Sequence, residues 1–258
     1  MAIVRLRPED LKRAIAGGTL SLQFQPQVHV PTGKLVGAEA FARWPHPSYG
    51  MIGPGEIIAL IEQGALHVEF DRWVLTELCA QQVRWQEESF DVPIVAANIW
   101  TQTLRARKVI DLVRDVVMRS GARPGAIEIE CPRGTVGDRA LAETARRLRV
   151  LGLRVASKEF GHREVAKAAR DFDTLKIGYP LARDVVVAGT SAPDAVSAIV
   201  AAGREAGARV VADSVETPEQ ENALTGFGCE IVQGYLYGPE VSAAELKLLA
   251  AVGAKRAE

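Results

Sequence analysis

Residues 20–41 read LSLQFQPQVHVPTGKLVGAEAF, and this stretch decides the fold. Two runs with strand character, 20–25 and 34–41, are separated by little more than His29-Val30-Pro31-Thr32-Gly33. A parallel connection needs roughly a dozen residues or more, so the two strands are expected to pair as an antiparallel hairpin. The expected register sets Gln23 and Gln25 roughly opposite Glu39 and Gly37.

Beyond the hairpin the pattern changes. Short apolar or alternating runs predict strands over 93–98, 126–130, 153–157, 173–177, 208–213 and 230–234. Between them lie segments of helical period, 68–88, 104–120, 138–151, 193–206 and 218–225. The first is the clearest, with Phe70, Val74, Leu75, Leu78 and Trp85 on one face. Eight strands separated mostly by helices predict an α/β fold, a (β/α)8 barrel of the TIM type modified by an antiparallel first strand. The whole of 1–258 reads as one such barrel domain.

The composition admits this. Of 258 residues 48% are apolar, enough for a sizeable core. A formal net charge of −1 gives no global attraction for nucleic acid or an anionic membrane, so an anionic ligand must be held by a local site. Cys79, Cys131 and Cys229 lie far apart without CxxC spacing, which favours a reducing, cytoplasmic setting over disulfides or zinc. His29, His46, His67 and His162 form no ligand cluster. No run approaches the roughly 18 apolar residues of a membrane helix, and the opening MAIVRLR lacks a signal-peptide core. The expectation is a soluble protein, or a soluble domain of a longer one.

Polar residues gather at the C-terminal ends of the predicted strands: Glu39, Asn98, Glu130, Ser157 with Lys158, Lys176, Asp213 and Gln233. In an α/β barrel that rim is where binding sites are built. Glu39, Asn98 and Glu130 form an oxygen-only set suited to a hard divalent cation such as magnesium or manganese. Each alone reads equally well as a helix cap or a lysine partner. Together, oxygen donors aimed at one mouth call for a cation.

These residues resemble the EAL family over nearly the whole chain. Gln25-Pro26, Gly37-Ala38-Glu39-Ala40-Phe41-Ala42-Arg43-Trp44 (Phe41 where leucine is usual) and Asp71-Arg72-Trp73-Val74-Leu75 follow in order. Then come Ala97-Asn98, Glu128-Ile129-Glu130, Phe160-Gly161, Leu175-Lys176-Ile177, the segment Val211-Ala212-Asp213-Ser214-Val215-Glu216-Thr217, and Gln233-Gly234-Tyr235. The resemblance implies a barrel with an antiparallel first strand, and a two-cation hydrolysis of cyclic-di-GMP in active members. It implies metal-ligand positions at Glu39, Asn98 and Glu130, and an active-site lysine at Lys176. Asp213 takes the place of a base or ligand, and Gln233 that of a group near the metal-bound water. Arg43 is set against a phosphate and Asp71 against a guanine edge. The ligand-binding set it implies is Gln25, Phe41, Arg43, Asp71, Asp213 and Gln233.

The departures fall on the catalytic apparatus. Where the family reads Asp-Asp-Phe-Gly-Thr-Gly, this chain reads Lys158-Glu159-Phe160-Gly161-His162-Arg163, so a ligand aspartate has become Lys158. A protonated lysine has no lone pair for a metal. The partner segment reads Glu130-Cys131-Pro132-Arg133, Gly178 follows Lys-Ile where aspartate is usual, and Trp100 stands in place of a serine. Lys158 is expected among Glu39, Glu130 and Asp213 as a built-in cation, with no cofactor required; the opposing expectation is that it points to solvent. Three functions stand open. The first is a catalytically degenerate cyclic-di-GMP receptor in bacterial signalling, acting on an unidentified protein partner. The second is a protein-interaction scaffold that binds no nucleotide. The third is a weak phosphodiesterase using magnesium or manganese. Trp73 and Trp85 read as packing, Trp44 is open, and Cys131 has no histidine partner to make it a nucleophile.

Overall fold

The computed structural model describes residues 6–132, 135, 138–158 and 169–253. The hairpin forms, β1 (Ser21–His29) pairing antiparallel with β2 (Lys34–His46). Its register is two residues away from the expected one: Gln25 faces Glu39 and Gln23 faces Phe41. Both strands run beyond their predicted ends, and β1 runs straight through Pro26. The Phe24 amide points away from β2 to the Val241 carbonyl, so by the two-residue period the missing Pro26 donor points the same way. Among the described residues no ladder partner stands opposite it there. The turn is closed by the Thr32 and Gly33 amides on the His29 carbonyl, at 3.1 and 2.9 Å, with Gly33 at φ +64°.

A short β3 (Gly50–Ile52) folds back on the end of β2. Parallel pairing then runs from β2 through β4 (Val95–Asn98), β5 (Ile127–Cys131), β6 (Arg154–Lys158), β7 (Thr174–Ile177), β8 (Arg209–Ala212) and β9 (Ile231–Val232). β9 meets β1 antiparallel through Val28 and His29 and closes a barrel of eight strands, β3 standing outside the ring. This is the α/β barrel with an antiparallel first strand that the sequence predicts.

The helices surround it: α1 (Pro8–Ala16), α2 (Pro54–Gly64), α3 (His67–Glu87), α4 (Thr101–Leu104), α5 (Val109–Ser120), α6 (Arg139–Val150), α7 (Tyr179–Asp184), α8 (Ala192–Ala206), α9 (Pro218–Gly226) and α10 (Ala243–Val252). The single helix expected over 104–120 is two, because Arg105, Arg107 and Lys108 interrupt the apolar spacing and α4 is tied inward at Trp100. The sequence reading missed α1, α2, α7 and α10. Proline at the first helical position of α1 and α2 was the available cue. Trp44, Trp73 and Trp85 are all buried, so Trp44 joins the packing. Among the described residues no helix is long and apolar enough to cross a membrane.

Candidate functional site

Strand alternation places Glu39, Glu130, Lys158 and Lys176 inside the barrel near its C-terminal mouth. Lys158 and Lys176 are register partners on adjacent parallel strands. Two ammonium groups side by side repel unless anions lie between them, and two carboxylates do. Lys176 donates to Glu39 at 2.6 Å and to Glu130 at 2.7 Å. Lys158 turns inward, donating to Glu39 at 3.0 Å and pairing with Glu130 at 2.9 Å. Asp213 stands 3.6 Å from Lys176 at the outer edge.

Glu39 is fully engaged. One carboxylate oxygen accepts from Lys158 and from the Asn98 amide at 2.6 Å; the other accepts from Lys176 and from the Gln233 amide at 2.8 Å. Four donors match the lone-pair sites of a carboxylate. Gln233 is itself held, donating to Gln25 at 3.0 Å and accepting from Gln27 at 3.0 Å.

Glu39 and Glu130 are buried. Burial alone would push the Glu39 carboxyl up, but Lys158, then Lys176, with the Lys176 and Asn98 hydrogen bonds, hold it well below the ordinary range. Burial, with Glu39 added, pushes Glu130 up. Burial opposes the charge on both lysines, yet Glu130 and Glu39 raise each above its ordinary value. The lysines are therefore cations, and the arrangement does not suit a divalent metal: Glu39 has no lone pair left, and two ammonium groups lie between the carboxylates.

The other expected residues divide. Phe41 and Arg43 line an apolar cavity of ≈ 350 Å³ with Ile57, Phe70, Val74 and Trp100. Gln25, Phe41 and Asp213 line a second cavity of ≈ 250 Å³ at the rim, beside Lys158. A third, of ≈ 450 Å³, lies between Asn98, Trp100, Glu130 and Lys158. Asp71 is not brought to any of these walls. It is buried inside α3, accepting from the Trp100 amide at 3.0 Å, and burial pushes its carboxyl up to about 7. This side chain, which the resemblance sets against a guanine edge, holds the start of α4.

Sequence reasoning missed Gln27 and Glu240. Gln27 shares the inward face of β1 with Gln25, two residues away, and strand alternation would have found it. Glu240 pairs with Arg43 at 3.2 Å across nearly the whole chain, which no local pattern announces. Cys131 is buried, and burial pushes its thiol up to about 12. Glu159, Phe160, Gly161, His162, Arg163 and Arg133 lie outside the described residues.

An eight-stranded α/β barrel with an antiparallel first strand and a charged cluster at its mouth is the architecture of one class of signalling domain. Residues 8–240 match the EAL domain, and the chain belongs to that family. It is 31% identical over 242 residues to the bifunctional diguanylate cyclase/cyclic di-GMP phosphodiesterase MucR of Pseudomonas aeruginosa, a match covering 92% of this chain and 35% of that protein. It spans about a third of the length of the curated relatives it matches. Among solved structures, the PaMucR phosphodiesterase in complex with c-di-GMP superposes with a TM-score of 0.83 at 30% identity, over 92% of this chain and 98% of that one. The Xanthomonas citri FimX EAL domain in complex with c-diGMP shares the fold, with a TM-score of 0.81 at 20% identity over 91% and 93% of the two chains.

Proposed function

We propose that this chain binds cyclic-di-GMP at its barrel mouth without hydrolysing it, and that the bound state is read by a protein partner in the bacterial cytoplasm. The observation that carries the proposal is the saturation of Glu39 by Lys158, Lys176, Asn98 and Gln233. Where the resemblance calls for cations, the chain supplies ammonium groups of its own. No metal-activated water is then available to attack a phosphodiester.

Recognition needs less than catalysis. An apolar cavity of ≈ 350 Å³ suits one planar base, and Phe41 and Trp100 on its wall offer aromatic faces. Arg43 on the same wall offers a guanidinium to a phosphate. The complex of the MucR relative with c-di-GMP supports this ligand. The burial of Asp71 favours a second reading, a scaffold that binds no nucleotide, because it withdraws one guanine contact.

The test is a calorimetric titration of cyclic-di-GMP with EDTA present, using Arg43→Ala as control. Saturable one-to-one binding lost in the variant is the expected result. No heat and no thermal shift, even with manganese in place of EDTA, would reject the receptor and leave the scaffold. Turnover with manganese that Glu39→Ala abolishes would reject the non-catalytic assignment.

A further inference from the structure

Arg43 is the residue set against a phosphate, yet its guanidinium is already engaged. Nη1 donates to the Ala42 carbonyl at 3.0 Å, and Nη2 lies 3.2 Å from a Glu240 carboxylate oxygen. The two side chains are 14% and 20% exposed, so water and salt screen the pair only partly. The guanidinium also lies over the Phe41 ring, 5.9 Å from its centroid. Phe41 and Glu240 each line both the apolar cavity and the rim cavity. The Arg43–Glu240 pair therefore stands at the junction of the two, where a dinucleotide spanning both would place a phosphate.

Glu240 is not carried by a swinging loop. Next to it, Val241 exchanges two backbone hydrogen bonds with Phe24, at 2.8 and 3.0 Å. Ser242 then caps α10, accepting from the Glu245 amide. On the other side Gly238 sits at φ +114°, with its carbonyl accepting from Gln25 at 3.4 Å. With the backbone pinned on both sides, rotation of the Glu240 side chain is the freedom that remains.

We propose that Glu240 is an internal counter-anion that determines which anions reach Arg43; this rests on the cyclic-di-GMP reading of the site. A phosphodiester takes the guanidinium only by displacing the carboxylate, which turns the carboxylate out toward water. That exchange is favourable for a ligand that also buries a base in the adjoining cavity. Free phosphate has no such second anchor and is turned away. Glu240 thus lowers the affinity of every anion by a similar factor, so that an anion without a second anchor falls below useful occupancy while the base-anchored one still binds.

The test compares wild type, Glu240→Gln and the double variant Arg43→Ala/Glu240→Gln by calorimetry in EDTA at fixed ionic strength. Cyclic-di-GMP and inorganic phosphate are titrated separately. Glutamine keeps the shape and removes the charge; Glu240→Ser serves if the glutamine variant melts below wild type. Glu240→Gln is expected to bind cyclic-di-GMP about tenfold more tightly and to gain phosphate binding that the double variant loses. Unchanged or weaker dinucleotide binding overturns the inference while the receptor reading stands, since wild type still binds. If no protein takes up the dinucleotide, the receptor reading falls and the phosphate titration decides. A gain dependent on Arg43 then upholds the counter-anion, and no gain refutes it.

Discussion

Lys158→Met removes one ammonium group and keeps most of the aliphatic stem, and its cost follows from the geometry. Lys158 stands 3.0 and 2.9 Å from carboxylates with no exposed surface, each contact worth about 5 kcal/mol at an effective dielectric near 20. Desolvation of the ammonium and repulsion from Lys176 offset much of that sum. Removing one partner from a buried pair costs about 3–5 kcal/mol. The 26% of the Lys158 side chain left open admits water and trims the loss to about 2–4 kcal/mol. At about 2–4 °C per kcal/mol for a chain of this size, the thermal midpoint should fall by about 5–15 °C at pH 7. Circular dichroism melts measure it directly. Lys158→Asp should fall further in EDTA and recover with manganese, by about 2.7 kcal/mol at a hundred times the dissociation constant, whereas wild type should not respond. A methionine variant that melts with wild type, or a wild type stabilised by manganese as much as Lys158→Asp, would refute the built-in cation.

Asp71 gives a pH signature. Its folded pKa of about 7 lies above the unfolded value of about 3.9, so the folded chain holds the extra proton between them and stability falls as pH rises through that window. Urea midpoints of Asp71→Asn and wild type should converge near pH 4 and separate by pH 8 in favour of the variant, by at most about 4 kcal/mol; parallel curves would contradict the assignment. Gly234→Ala puts a Cβ 2.2 Å from the Val215 carbonyl oxygen at φ +151°, and should cost at least about 3 kcal/mol in chemical denaturation while pulling Gln233 off Glu39. Burial pushes the Cys79 thiol up to about 11 and those of Cys131 and Cys229 up to about 12, so a disulfide reagent should label none of the three in the native protein and all of them in guanidinium.

The hairpin illustrates what a sequence discloses. The short span between the first two strands dictated their direction, because chain length limits crossovers. The register depended on how far β1 continues past Pro26, where Val28 and His29 pair with Val232 and Ile231, far along the chain. The charged mouth was legible for a similar reason: strand ends converge in any parallel barrel, so Glu39, Glu130, Lys158 and Lys176 had to meet if the strands were rightly placed. The role set for Asp71 came from the resemblance alone; its burial and its bond from the Trp100 amide arise from packing that no local pattern announces. Glu240 lay beyond reach, since its pairing with Arg43 arises from the return of the chain to β1 after the last strand.

The closure of the ring on β1 also sets an order of events in time. The β1–β2 hairpin is local and belongs to the class of structures that form within about 1–10 μs. The β1–β9 seam joins Val28 and His29 to Val232 and Ile231, segments from opposite ends of the chain, and spans only those two residue pairs. Closing it spans the longest loop in the ring, so it is expected to form last and to open first. Deuterium exchange should therefore enter at the Val30 amide, bonded to the Glu230 carbonyl at 2.9 Å, well before it reaches β5 and β6. That order of exchange is what a barrel breathing along the line where its two ends are sewn together would give.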